Sequence, residues 1–327
     1  MDVLSDVLDT LRLRGTLYFS TEFHQPWGLR VPALRRVARF HLVVRGALWV
    51  RVAGQPDAVQ ISSGDLILIP HGAEHVMQCS DGSPVRTVDD VVAAAGFTGR
   101  GVLVYGGEDR GAPTRLVCGH FEYDESLDHA LLAQLPPSIV VRWEHEVQNS
   151  PLADAFSFIT REVQAGRPGH EAVVRRLSEV LFFLAVRTWA EREESQRGML
   201  AALADPALAA ALSAMHERPA DHWSLDSLSR CAAMGRSAFS ERFHRVVGAT
   251  PMRYLTDWRV QRAKRLLAES KLGLDGIAAQ VGYDSAASLS RVFQKHTGIS
   301  PGAYRRQADV PRTRAEAVVP QASHSTA

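Results

Sequence analysis

Cys118, His120 and Glu122 alternate along a β-rich run, which on a strand would put a thiol, an imidazole and a carboxylate on one face. A neighbouring imidazolium lowers a thiol's pKa, and the thiolate is the form oxidants attack, so Cys118 is a candidate redox sensor. The competing reading is a small buried hydrophobe, the common fate of a lone cysteine. Earlier in the chain, Gly64, five residues, then Pro70-His71-Gly72-Ala73-Glu74-His75 reads as a turn, a strand and a second tight turn that leads to His75. Cys79 follows four residues later, and His41 lies in another β-rich run. His75, His41, His71, His120, Cys118 and Cys79 form a pool of imidazole and thiolate donors that suits Zn, Cu or Fe, with His75, Cys118 and His120 as the leading set. A satisfied or surface-facing histidine is the preferred reading of His75, and no cofactor is expected. Cys231, the third cysteine, is expected in a helical core.

Short β-rich runs must position these residues. Arg39–Val44 leads to Arg45-Gly46, Ala47–Val52 leads to Ala53-Gly54, and the turn Ile61–Asp65 leads to the strand Leu66–Ile69, with glycines breaking the runs as in hairpins. Residues 80–113 read as a long loop with one apolar island, Val102–Tyr105. Strands return at Thr114–Tyr123 and Ser138–Val141. After about residue 150 the period becomes helical, with helices at Pro151–Ala165 and His170–Arg192 split by Gly166-Arg167-Pro168-Gly169. The second has two apolar faces, one for its own domain and one for a partner. From Asp205 onward all is helical, and residues 309–327 are Pro/Ala/Ser/Thr-rich and expected to be disordered. The expected domains are 1–148, a helical linking region at 149–198, and 199–308. The fold class is α+β.

Charge is informative only when the chain is divided. The whole carries a net +1. Residues 1–198 hold 20 basic and 25 acidic residues, whereas 236–306 hold 13 and 5. A basic half on an acidic half is one footprint of nucleic-acid binding. No apolar run of membrane length exists, and the acidic start, Met1–Gly15, predicts no signal peptide. Three cysteines cannot form a disulfide framework, which fits a reducing cytoplasm.

The basic half repeats itself. Phe239, Phe243, Gly248, Pro251 and Tyr254 recur 50 residues later as Leu289, Phe293, Gly298, Pro301 and Tyr304. Each copy reads as a short helix (Leu225–Ala233, Leu274–Val281), a tight turn, and a second helix (Ser237–Val247, Ala286–Thr297). That is a helix-turn-helix, whose second helix enters the major groove. The exposed sides would carry Arg236, Ser237, Ser240 and Glu241 in copy one, and Ser285, Ala286, Ala287, Ser290 and Arg291 in copy two. A long helix, Met252–Glu269, joins the copies and could set the reading helices roughly 34 Å apart. Its Arg253, Arg259, Arg262 and Arg265 are candidates for phosphates.

Ile277-Ala278, Gly282-Tyr283, Ser285, Arg291, Phe293, Gly298, Ser300-Pro301 and Tyr304-Arg305 make the second copy resemble the AraC/XylS family of bacterial transcription regulators. Leu289 and Gln294 depart mildly from the family pattern. The match spans about 100 residues. The resemblance implies a two-motif DNA-binding domain and transcriptional control, with Arg291 a base or phosphate contact. Glu241 stands where many relatives carry Arg. Two readings stay open: acceptance of a hydrogen bond from a cytosine amino group, or an intrahelical pair with Arg245, the preferred one.

Gly64 to His75 also fits the second motif of the cupins, with Cys79 in place of the usual Asn. That resemblance implies a sensory barrel at about residues 15–145. Residues Leu116–Phe121 and Leu135-Pro136-Pro137 resemble the family subgroup with such a sensor, some members of which sense oxidants through thiols. A metal enzyme of this fold holds its metal with three His and one Glu. Here the first-motif Glu position is Arg39, and its His positions fall on residues 30–33, which contain none. The expected function is therefore a cytoplasmic DNA-binding regulator, an activator that responds to a small molecule or an oxidative signal. The alternative is a metal-dependent cupin enzyme with an appended DNA-binding domain. The expected partners are double-stranded DNA, a second copy of the chain, RNA polymerase and the effector, with no membrane.

Overall fold

The computed structural model describes residues 3–10, 14–99, 101–106, 112–122, 132, 135–143, 150–192 and 198–309. The expected disordered tail lies outside them, apart from Asp309. The described residues fall into two compact units, one holding 14–122 with 135–192, the other holding 3–10 with 198–309.

The first unit is a pair of sheets. Its strands are β1 (Arg14–Phe23), β2 (Gly28–Val31), β3 (Val37–Arg45), β4 (Ala47–Val52), β5 (Val59–Ser62), β6 (Leu66–Ile69), β7 (His75–Gln78), β8 (Arg86–Thr87), β9 (Val102–Tyr105), β10 (Thr114–Glu122) and β11 (Ile139–Val141). Six form one sheet in the order β11-β6-β3-β10-β1-β9, and five form the other in the order β5-β4-β7-β2-β8. The glycine-split runs β3 and β4 are not hairpin partners. Gly46 passes the chain from one sheet to the other, β3 pairs with β6, and β4 pairs with β5 and β7. Inward residues of both sheets, among them Val43, Ile67 and Leu116 opposite Leu48, Val50 and Met77, share one core.

Burial on both faces explains why β6 reads as an unbroken apolar run rather than an alternating one, while β3 buries Arg39 and His41 among its apolar residues. Two helices that followed the apolar period, Pro151–Ala165 and His170–Arg192, belong to this unit. They cover it through Phe182 on Phe121 (5.2 Å between ring centroids) and Phe156 on Trp143 (5.8 Å). Helix Pro151–Ala165 is capped by Ser150 and ends at Gly166. Among the described residues of the stretch 80–113 there is regular structure as well as loop. Thr87 caps a helix at Val88–Ala94, Asp89 and Asp90 occupy its first turn, and Val91 and Val92 are buried. The amphipathic signal there is only two turns long, too short to stand out from its Gly- and Ala-rich surroundings.

In chain order the helices are α1 (Val3–Thr10), α2 (Val88–Ala94), α3 (Pro151–Ala165), α4 (His170–Arg192), α5 (Met199–Ala204), α6 (Pro206–Glu217), α7 (Leu225–Cys231), α8 (Arg236–Val247), α9 (Pro251–Glu269), α10 (Leu274–Val281), α11 (Ala286–Thr297) and α12 (Pro301–Asp309). All but α2, α3 and α4 lie in the second unit. That unit includes α1, although the sequence reading placed residues 1–148 with the sensor. Asp6 and Val3 of α1 are buried there, and Asp6 Oδ2 stands 3.6 Å from Nδ1 of the buried His216. His216 shares a hydrogen bond with the Tyr254 hydroxyl (2.7 Å) and stacks on Trp258 (3.9 Å).

The internal repeat is a repeat of packing. Phe243 meets Tyr254 edge-on at 5.8 Å, and Phe293 meets Tyr304 edge-on at 5.6 Å. Both turns require left-handed backbone, met by Ala233 (φ 51°) in copy one and Gly282 (φ 83°) in copy two. The glycine is needed in copy two, because a Cβ there would come within 2.8 Å of the Pro219 carbonyl oxygen. Cys231, expected in the core, is only half-buried.

Candidate nucleic-acid interface and buried sensor cluster

Each second helix is held by its apolar stripe and leaves the opposite side free. Phe239, Phe243 and Val247 of α8 are buried, as are Leu289 and Phe293 of α11. On α8, Arg236, Ser237 and Glu241 are exposed and Ser240 is half-buried. His244, which the sequence reading missed, lines the same shallow cleft as these four. Its signal was there: it lies three residues after Glu241, on the same helical face. On α11, Ala287 and Arg291 are exposed, and Ala286 and Ser290 are half-buried. Ser285 has a structural task as the N-cap, its Oγ accepting from the Ser288 N–H at 3.2 Å.

An aspartate anchors the start of the second helix in each copy. Asp275 Oδ1 accepts from the Ala286 N–H at 3.1 Å, and Asp226 sits 3.6 Å from Arg236 at the corresponding place. The arginines of α9 are largely engaged within the protein. Arg259 donates to the carbonyls of Pro219 and Asp221 at 2.8 and 2.7 Å, Arg265 pairs with Glu269 at 3.0 Å, and Arg253 lies 3.9 Å from Asp257. Arg259 is thus a brace of the fold rather than a phosphate ligand. Arg305 has the same task, donating to the carbonyls of Leu267 in the last turn of α9 and Leu272 just past it. The expected Glu241–Arg245 pair does not form among the described residues, and the intervening Arg242 reaches Asp205 at 2.7 Å.

In the first unit, strand pairing joins residues that are far apart in sequence. Cys118 of β10 is opposite His41 of β3, and His120 is opposite Arg39. His75, at the start of β7 in the other sheet, completes a buried chain: Cys118 Sγ to His41 Nδ1 at 3.1 Å, and His41 Nε2 to His75 Nε2 at 2.8 Å. His75 Nδ1 lies 3.0 Å from the Ala73 carbonyl oxygen, which can only accept. With both rings kept neutral by burial, that contact sets the tautomers. His75 donates from Nδ1 and accepts at Nε2, His41 donates from Nε2 and accepts at Nδ1, and the Cys118 S–H donates to His41. The whole chain is neutral.

Electrostatics agree with that assignment. Burial, then His75 and Arg39, hold His41 well below the usual imidazole range, and burial lowers His75 to about 4. Burial pushes the Cys118 thiol up. The expected activation by an imidazolium is therefore absent: Cys118 touches a neutral ring in a desolvated interior, which disfavours the thiolate. His120, also lowered by burial, bonds Glu122 at 3.2 Å rather than Cys118. Cys79 is elsewhere, its sulfur accepting from the Trp27 N–H at 3.3 Å, and His71 bonds the Leu135 carbonyl oxygen at 2.9 Å. Arg39, known from sequence only as a missing ligand, is buried among these histidines.

This arrangement does not fit a metal. His41 commits its two nitrogens in opposite directions, so Cys118 and His75 lie on either side of its ring and cannot share an ion with it. Among the described residues no three His, Cys, Asp or Glu side chains are grouped to hold a metal. Nor, among them, is any helix long and apolar enough to cross a membrane.

Comparison with known proteins joins the two halves. A family model described as a cupin matches residues 2–191, and one described as a helix-turn-helix domain matches residues 228–307. An AraC-like transcription regulator of Streptomyces antibioticus is 31% identical over 319 residues, which cover 94% of this chain and 99% of that one. The RCS-specific transcriptional activator RclR of Escherichia coli K12 is 26% identical over 309 residues, 94% of this chain and 98% of its own. Among solved structures, the DNA-binding domain of AdpA in complex with a target DNA is 32% identical, covering 33% of this chain and 99% of that one, with a TM-score of 0.31. With one relative above 30% identity along nearly the whole length, and both family models matched, this chain belongs to the AraC-type transcription regulators that carry a helix-turn-helix DNA-binding region and an N-terminal cupin domain.

Proposed function

We propose that this regulator is a cytoplasmic activator that responds to an effector, binds its operator as a homodimer through both reading helices, and acts on RNA polymerase. The observation that carries the reading is the duplicated exposed face. Arg236, Ser237, Ser240 and Glu241 lie on one helix, and Ala286, Ala287, Ser290 and Arg291 lie on its repeat. Arg donates to guanine, small residues admit close approach, and serine hydroxyls serve either bases or phosphates.

The geometry favours a sensing role over a catalytic one in the N-terminal unit, because its polar interior is a closed chain of neutral hydrogen bonds rather than a set of convergent ligands. Among signals, a small oxidant fits the enclosed Cys118 better than a bulky ligand, but burial holds the resting thiol protonated, so this reading needs His41 Nδ1, 3.1 Å from the sulfur, to take the thiol proton as the sulfur attacks. The sulfur is buried and bonded to one imidazole, and a relative is named an RCS-specific activator. Oxygen transfer from a hydroperoxide would convert S–H to S–OH as the O–O bond breaks and water or an alcohol leaves. His41 would then lose its thiol donor and the tautomer chain would have to rearrange.

Genome-wide footprinting of the full chain, followed by transcription from the recovered sites with and without oxidant, tests this. Oxidant is expected to change transcription severalfold in the wild type and not in Cys118→Ser. A Cys118→Ser protein that still responds defeats the oxidant reading, and a chain that footprints nowhere defeats the operator reading.

The dimer rests on a second face of α4. Val173 and Val180 are exposed, and Leu177 and Leu184 are half-buried, spaced four, three and four residues apart along one stripe. That is the spacing of a helix–helix seam. Val180→Glu is expected to shift the sedimentation of the full chain from dimer to monomer at micromolar concentration. An unchanged dimer would remove this face from the interface.

A further inference from the structure

Glu241 and Arg291 occupy the same place in the two reading helices. They are 50 residues apart, the offset that also relates Phe239 to Leu289 and Phe243 to Phe293. In each helix the flanking apolar pair is buried, so both charged residues face outward, and both are exposed. Arg291 makes one long contact, 3.5 Å to Ser288 Oγ. Glu241 has no hydrogen-bond or ion-pair partner among the described residues, although Arg245 lies one turn away, and it shares its cleft with Ser237, Ser240 and His244. The protein thus sets opposite charges at equivalent reading positions and leaves both available.

A carboxylate facing DNA is opposed by a phosphate charge every ~1.7 Å of duplex, so a neutral contact with the backbone cannot explain it. It can only accept hydrogen bonds, and of the two major-groove amino donors adenine N6 lies beside the N7 acceptor, which repels a carboxylate, so the partner it fits is the cytosine N4 amino group. Arginine does the converse, donating to guanine O6 and N7. We propose that Glu241 is a specificity-determining residue that reads a cytosine, so that the two half-sites present a G·C pair in opposite orientation at equivalent positions, cytosine under Glu241 and guanine under Arg291. The proposal rests on the assignment of α8 and α11 as the DNA-reading helices.

In vitro selection from a random duplex library by the full chain tests it, using wild type, Glu241→Gln and Glu241→Arg. The side chain is exposed, so the fold should tolerate both changes. The wild type is expected to enrich cytosine at one position by about tenfold, Glu241→Gln to shift that position to adenine, and Glu241→Arg to guanine, with the rest of the site unchanged. The same base enriched by all three proteins, or a wild-type site without that cytosine, overturns the proposal while leaving DNA binding intact. A wild type that enriches no sequence overturns the DNA-reading assignment itself.

Discussion

Gly72→Ala is expected to lower the stability of the N-terminal unit by about 4 kcal/mol, through a left-handed backbone and overpacking together. Gly72 sits at φ 61°, in the turn that delivers His75. A Cβ there would overlap the Leu34 carbonyl oxygen and come within 2.8 Å of Val37 Cγ2. Neither neighbour can easily yield. The Gly72 carbonyl accepts from the Leu34 N–H at 2.9 Å, and Val37 begins the buried strand that carries His41. A loss of that size is a large part of the 5–15 kcal/mol typical of a domain. Gly54→Ala is the control. It has φ 84° but no atom within 4 Å of its added Cβ, so only the backbone penalty of about 1–2 kcal/mol applies. Urea unfolding followed by tryptophan fluorescence, with Trp27 and Trp143 in this unit, would report both. Equal midpoints for the two variants would refute the packing account.

The second large effect is acid destabilisation of the same unit. The fold holds His75 at about 4 by burial, whereas the unfolded chain protonates this side chain near 6.5. Between those values the unfolded state binds more protons, so stability rises with pH. It is complete above 6.5 and is lost as pH falls toward 4. For His75 alone the loss at pH 4 is about 3 kcal/mol. His41 is lowered in the same direction, with its burial, His75 and Arg39 as causes, and adds to it. Carboxylates contribute to acid unfolding as well, so the diagnostic quantity is a difference between proteins. In His75→Gln the amide oxygen can still accept from His41 Nε2–H, but the side chain does not titrate. Its stability should fall less steeply than the wild type's between pH 6.5 and 4.5. Parallel profiles would show that the buried imidazoles are not the source.

The C-terminal half was largely legible because its signals are local. Caps, turns and apolar stripes recur within a dozen residues, so α9, α10 and α11 follow directly from spacing, and the duplication compares each position with a second copy. Side-chain partners were not legible. Sequence offered Arg245 to Glu241 and phosphates to Arg259. The fold instead left Glu241 unengaged and turned Arg259 onto two carbonyls, since those acceptors arrive from a loop 38 to 40 residues away.

The N-terminal half divides the same way. Its strands and the turn at Gly72 could be read from alternation and punctuation, but sheet assignment could not. Cys118 and His120 share a face as expected, yet the residue that matters to the thiol is His41, 77 positions earlier, brought opposite by antiparallel pairing of β3 and β10. His75 then reaches His41 from the second sheet. Taken alone, the sequence determined which elements form, that the basic half carries a duplicated helix-turn-helix, and which side chains could carry a signal. Only the tertiary structure decided that the thiol is neutral, that the donors form a chain instead of a chelate, and that α1 folds with the far end of the protein. Protonation and ligation depend on burial and on groups distant along the chain, and local spacing carries no information about either.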